Sequence, residues 1–112
     1  MRVLNIDKDF IRGWIIGDFS PSIYTSKDIE VGVHYFKKGD KGDGHYHKLQ
    51  IEYNYLIYGL AKTCNQELKQ GDFFIYDPMD KADVEYLEDS ALLVIKLPAT
   101  KDDKYYENPV DC

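Results

Sequence analysis

The chain has 112 residues, with 20 acidic against 14 basic side chains and a net charge of −6. A chain of this length makes one domain, 1–112, able to bury ~65% of its unfolded surface. The acidic balance argues against nonspecific nucleic-acid binding, which needs a basic surface. No run approaches the ~18 apolar residues of a membrane span. The opening MRVLNIDKDF lacks the apolar region of a secretory signal. Cys64 and Cys112 are too few for a disulfide framework. A cytoplasmic protein is expected. Ten tyrosines and five phenylalanines, with Gly and Pro punctuating short apolar runs, favour strands and turns.

Residues 1–10 are polar and mixed, an arm or edge strand. Phe10 to Phe19 reads as a strand broken by Gly13 and Gly17, and Ser20 to Asp28 as a loop. Glu30 to Lys37 alternates, with Val31, Val33 and Tyr35 on one face and Gly32, His34 and Phe36 on the other. Lys38 to Gly44 is a Gly- and Asp-rich loop leading to a histidine pair. Glu52 to Thr63 reads as one long strand, turning at Cys64–Glu67 into a return strand from Leu68. Phe73 to Tyr76, Asp83 to Leu87 and Ala91 to Leu97 complete the set, stopped by Asp77-Pro78 and Pro98. The tail from Ala99 is charged and either wraps the domain or stays disordered. About eight short strands without helical periodicity predict an all-β closed barrel or jelly roll. A barrel that small holds one small-molecule ligand in its mouth.

The chemistry concentrates in GDKGDGHYHKLQIEYNYLIYG, residues 39–59. His45 and His47 stand one residue apart, so a strand places both imidazoles on one side of a sheet. A turn or bulge across Leu49 to Ile51 returns Glu52 to that face. Two imidazoles and a carboxylate on a rigid sheet suit a divalent transition metal. Asn54 and Tyr58 share the expected inward face and are candidate substrate-binding residues, as is Glu85, a potential acid/base. His34 reads as a surface or satisfied core residue. Tyr53, Tyr55, Tyr76 and Tyr86 read as sheet-packing or dimer surface.

The spacing Gly39-x5-His45-x-His47-x4-Glu52-x6-Gly59 resembles the first signature motif of the cupin superfamily. Its downstream context covers about residues 30–98, with 1–29 and 99–112 as extensions. The resemblance implies a cupin-type β-barrel, or double-stranded β-helix, and a homodimer paired through its sheets. The second motif departs from the pattern. Gly71 and Pro78 fit, but Asp80 replaces a glycine and Asp83 stands where a third histidine would fall. The ligand set implied is His45, His47, Glu52 and Asp83, an oxygen-rich site favouring Mn or Fe, with Zn or Ni as alternatives. The activity expected is that of a metal-binding cupin acting on a small sugar or carboxylate. The alternative, carried by the altered third ligand, is a ligand-binding or sensing module with weakened or absent metal.

Overall fold

The computed structural model describes residues 1–106. It contains a short helix α1 (Ile6–Asp9) and strands β1 (Trp14–Gly17), β2 (Tyr24–Thr25), β3 (Glu30–Phe36), β4 (Ile51–Tyr58) and β5 (Leu60–Thr63). These are followed by β6 (Gln66–Lys69), β7 (Phe73–Tyr76), β8 (Val84–Tyr86) and β9 (Ser90–Leu97). The arm expected at residues 1–10 is therefore partly helical. Asn5 caps it, its side-chain oxygen accepting from the amides of Asp7 and Lys8.

Two sheets form. The larger runs β2-β1-β3-β9-β4-β7 and the smaller β6-β5-β8. They face one another without closing into a continuous hydrogen-bonded barrel. Alternation decides which side chains go inside. On the large sheet the inward rows are Glu30–Lys96–Glu52–Tyr76, Gly32–Val94–Asn54–Phe74 and His34–Leu92–Leu56. Ala61, Leu68, Val84 and Tyr86 of the small sheet meet them in one buried cluster. Leu56, with no exposed surface, sits at its centre, a burial worth roughly 1.5–3 kcal/mol.

The long strand expected over Glu52–Thr63 is two strands in different sheets, β4 and β5. Gly59 makes the change of direction, with φ +107°. A Cβ there would overlap Ser90 Oγ, so only glycine fits both the backbone and the space. Cys64, at the β5–β6 turn, is disulfide-bonded, and Cys112 lies outside the described residues.

The segment from Gly39 to His47 is an arm laid along the edge of the small sheet. It is tied there by Gly39 N–H to Tyr86 O, Gly42 N–H to Val84 O and Ala82 N–H to His45 O, at 2.7 Å each. On its other side Tyr46 bridges Tyr105 of the tail in both directions, at 2.9 and 3.0 Å. The tail thus wraps the domain as far as Tyr105. Replacing Gly59 by alanine should lower unfolding stability by about 2 kcal/mol or more, read as a shift in urea midpoint; an unchanged midpoint would contradict the packing described.

Candidate metal centre

His45 and His47 project from the arm into the space between the sheets, their ring centroids 5.0 Å apart. Glu52 enters from the adjoining end of β4. The chain reverses between them through Lys48, Leu49 and Gln50, and Asp103 fixes that reversal. Its carboxylate accepts the backbone amides of all three at 3.0–3.1 Å. Burial would raise the Asp103 carboxyl, but those three donors outweigh it and lower its pKa.

Each imidazole has one nitrogen committed and one not. His45 Nδ1 bonds the Asp43 carboxylate at 2.5 Å, and Asp43 is also held by Lys104 Nζ at 3.2 Å. His47 Nδ1–H donates to the Asp103 carbonyl at 2.6 Å. Both Nε2 atoms are buried with no hydrogen-bond partner among the described residues. His47 Nε2 stands 3.4 Å from Glu52 Oε1, and one donor atom from each of His45, His47 and Glu52 lies within 4.8 Å of the others. A buried polar atom left unpartnered costs about 1–3 kcal/mol. Two such nitrogens beside a carboxylate are relieved by a shared cation. Histidines that bind metals show this division, one nitrogen anchored and the other turned to the ion.

The charges fit that use. Burial lowers the His45 pKa more than Asp43 raises it, so at neutral pH its Nε2 offers a lone pair. Burial would raise the Glu52 carboxyl, but the His47 ring, the Lys96 ammonium and the Asn54 amide hold it at about 2. Asn54, only 2% exposed, donates to Glu52 Oε2 at 3.1 Å and keeps the other oxygen turned to the histidines. Burial lifts the Tyr76 and Tyr86 phenols well above their usual range, so both are neutral hydroxyls. The cavity in front of these groups has a volume of about 640 Å3, within the range of small-molecule sites.

The remaining sequence-derived candidates fall elsewhere. Asp83 does not join the cluster. Thr63 pairs with Val84, which turns Ala82, Val84 and Tyr86 inward and sends Asp83 out, half-exposed and 3.6 Å from Lys81 Nζ. The inward positions of β8 carry no donor that replaces the third histidine. Glu85 has the same outward parity, opposite Lys62. Tyr58 follows a register shift after Leu56 and is 44% exposed. Of the expected substrate-binding residues, Asn54 alone lines the cavity.

Several residues at the site went unread in the sequence. Asp103 and Lys104 stand more than fifty positions from their partners, and no local pattern announces them. Asp43, two residues before His45, was legible in principle as a carboxylate poised to orient it. Lys96 lay within an apparently apolar strand.

Because the Asp103 carboxyl is depressed, its contribution is present above the unfolded carboxyl value and is lost as pH falls through the folded one. Asp103→Asn should cost about 1–3 kcal/mol at pH 7. The gap from wild type should begin to narrow only below about pH 4, the ordinary carboxyl value, and close at lower pH, once the folded-state carboxylate also protonates. Urea unfolding at both pH values checks this; a gap independent of pH would contradict it.

No protein-family model and no curated protein matches the chain. Solved structures do. An uncharacterised conserved protein with a double-stranded β-helix domain from Klebsiella pneumoniae aligns over 96% of this chain and 92% of its own, with TM-score 0.74 and 18% identity. KdgF from a Halomonas species aligns over 70% of this chain and 76% of its own, with TM-score 0.59 and 21% identity. The bacterial pirin YhhW from Escherichia coli, in complex with nickel(II), aligns over 79% of this chain and 39% of its own, with TM-score 0.63 and 13% identity. The two facing sheets, the Gly-His-His-Glu-Gly spacing and these alignments agree: the chain has the double-stranded β-helix fold of the cupins.

Proposed function

We propose that the chain binds one divalent transition metal through His45 Nε2, His47 Nε2 and Glu52, and acts on a small polar molecule in the cavity beside it. The observation that carries this reading is the pair of buried, unpartnered Nε2 atoms, with each Nδ1 already held by an acceptor. Two imidazoles with one carboxylate and open positions are the ligand set of non-haem Fe(II) sites, and Mn(II) suits it as well. Zn and Ni remain the alternatives, and the nickel complex of YhhW lends support to a metal in this fold. When bound, the ion supplies Lewis-acid polarisation of a substrate oxygen. The chain's own part is to hold the two rings through Asp43 and Asp103, orient Glu52 through Asn54, and wall the ligand from water with Phe74, Val94 and Leu92.

A second reading is a non-catalytic ligand-binding module. Lys96 Nζ lies 3.6 Å from Glu52 Oε1, so the carboxylate has a resident counter-charge without metal. Metal content separates the two. Elemental analysis of protein dialysed against Mn(II) or Fe(II) should give about one ion per chain, abolished by His47→Ala with the fold intact. Asp83→Ala should retain the ion, since that carboxylate faces away. Metal-free wild-type protein under every loading condition would favour the module.

The outer face of the large sheet supports a homodimer. Its cross-strand rows are Val33–Leu93–Tyr55–Phe73 and Val31–Ile95–Tyr53–Ile75, without a charged side chain. Phe73 and Ile75 are 63% and 50% exposed. Four adjacent strands of apolar side chains form a patch that a second copy can cover, toward the ~800 Å2 per partner of a standard interface. Ile75→Lys should convert a dimer to monomer in sedimentation velocity without changing metal content; a monomeric wild type at high concentration would contradict the pairing.

A further inference from the structure

The cavity carries a second polar group, on the large-sheet side, built by β3, β9 and the turn that precedes β1. Arg12, in that turn, lines the cavity and has no ion pair or side-chain hydrogen bond among the described residues. Its φ of 53° is in the left-handed region, a backbone conformation uncommon for a residue with a long side chain. His34, on the inward face of β3, stands edge-on to Trp14 with centroids 4.7 Å apart. Neither of its ring nitrogens has a hydrogen-bond partner among the described residues, and Nε2 is buried. Gly32 makes room for this pair. A Cβ there would lie 2.8 Å from both His34 Nε2 and the Trp14 ring. Lys96 Nζ sits 5.0 Å over Trp14, so the indole holds one cation and one imidazole in place.

Several other charged groups of the cavity are paired. Asp43 answers Lys104 at 3.2 Å, and Glu52 answers Lys96 at 3.6 Å. Glu30 accepts from Gln50 Nε2 and the Thr100 amide. Arg12, which is exposed, has no acidic partner among the described residues. Lys96 is shared between Glu52 and the Trp14 face. The wall therefore presents an exposed guanidinium, a shared ammonium and an unused imidazole, with Glu30 beside Lys96 in the same row. Burial, reinforced by Lys96 and Arg12, lowers the His34 pKa. Its ring is therefore neutral at pH 7 and donates one N–H without adding charge. Of these groups His34 Nε2 is the buried atom left unmatched in the free protein, and a ligand reaching it can complete it.

We infer that Arg12, His34 and Lys96 form a recognition site for a carboxylate group on the molecule taken up by the cavity. The guanidinium fork matches a carboxylate in a bidentate manner, and Lys96 and His34 supply further donors. Glu52 and Glu30, both on the cavity lining, offset Lys96 and Arg12 in charge, so the wall has little positive charge to spare for a phosphate dianion. The planar guanidinium fork suits a monoanionic carboxylate better. The ligand class is then a small organic acid, its carboxylate on this wall and a second oxygen group toward His45 and His47. The inference rests on the cavity being the ligand site proposed above.

Calorimetric titration tests it with succinate, succinamide and inorganic phosphate as probes, on Mn(II)-treated protein whose metal content is measured separately. Succinate should bind at millimolar concentration or below, and its neutral diamide should not. Arg12→Gln should weaken succinate by about tenfold or more, with the metal stoichiometry unchanged, and Arg12→Lys should fall between. Equal affinity in Arg12→Gln, equal binding of succinamide, preference for phosphate, or no succinate binding by wild type would each overturn the carboxylate site. Its failure is separable from failure of the metal centre. Arg12-dependent succinate binding by wild-type protein that holds no metal would uphold this site and remove the other. Full metal occupancy with no Arg12 dependence would do the reverse.

Discussion

The constraint on which the site depends is the anchoring of two imidazoles by their Nδ1 atoms. Asp43 takes one and the Asp103 carbonyl the other, and the buried Nε2 atoms then have nowhere to turn except toward Glu52. That arrangement is possible because the arm from Gly39 to His47 is clamped on both sides, by β8 and its approach on one and by the tail at Tyr105 on the other. Asp103 does two jobs at once. Its carbonyl fixes the ring of His47, and its carboxylate fixes the reversal that brings Glu52 back to that ring. A rigid approach of this kind is what a metal site needs, because affinity falls when ligands must be ordered at the moment of binding.

Charge then distinguishes the two ends of the cavity. At the arm, Asp43 is paired with Lys104 and Glu52 with Lys96, and it is the two buried, unpartnered Nε2 atoms that favour a cation. At the wall built by β3, β9 and the turn before β1, Lys96 and Arg12 stand against Glu52 and Glu30. Glu52 joins the two ends, since it is neighbour to His47 at 3.4 Å and to Lys96 at 3.6 Å. On the reading proposed above, a cation at the histidines would increase the demand for an anion at Lys96. The surrounding sheet contributes rigidity and dryness. Its outer face is apolar enough to be covered in turn.

Much of this was legible in the residues. The spacing from Gly39 to Gly59 placed His45, His47 and Glu52 together because strand alternation and one reversal are local rules. The alternation of β3 separated Val31, Val33 and Tyr35 from Gly32, His34 and Phe36 for the same reason. What stayed hidden depended on long-range register. Asp83 was aligned to a ligand position by counting along the chain, yet its pairing with β5 through Thr63 and Val84 gives it the opposite parity, and a shift of one residue flips every side chain. Gly59 was read through as strand, although its left-handed backbone is what divides the two sheets. The inward parity of His34 became informative only once the sheet showed which face of β3 was covered. Asp103 and Lys104 act across more than fifty residues, a distance at which one sequence carries no pairing signal.

The most direct test of the central claim is nitrogen NMR of the imidazoles in protein labelled with 15N-histidine, titrated with one equivalent of diamagnetic Zn(II). The account predicts that Nδ1 of His45 and of His47 stays protonated throughout, while both Nε2 resonances move to the metal-bound position together and saturate at about one ion per chain. Coordination through either Nδ1, a response from one ring alone, or no change in either Nε2 would contradict it.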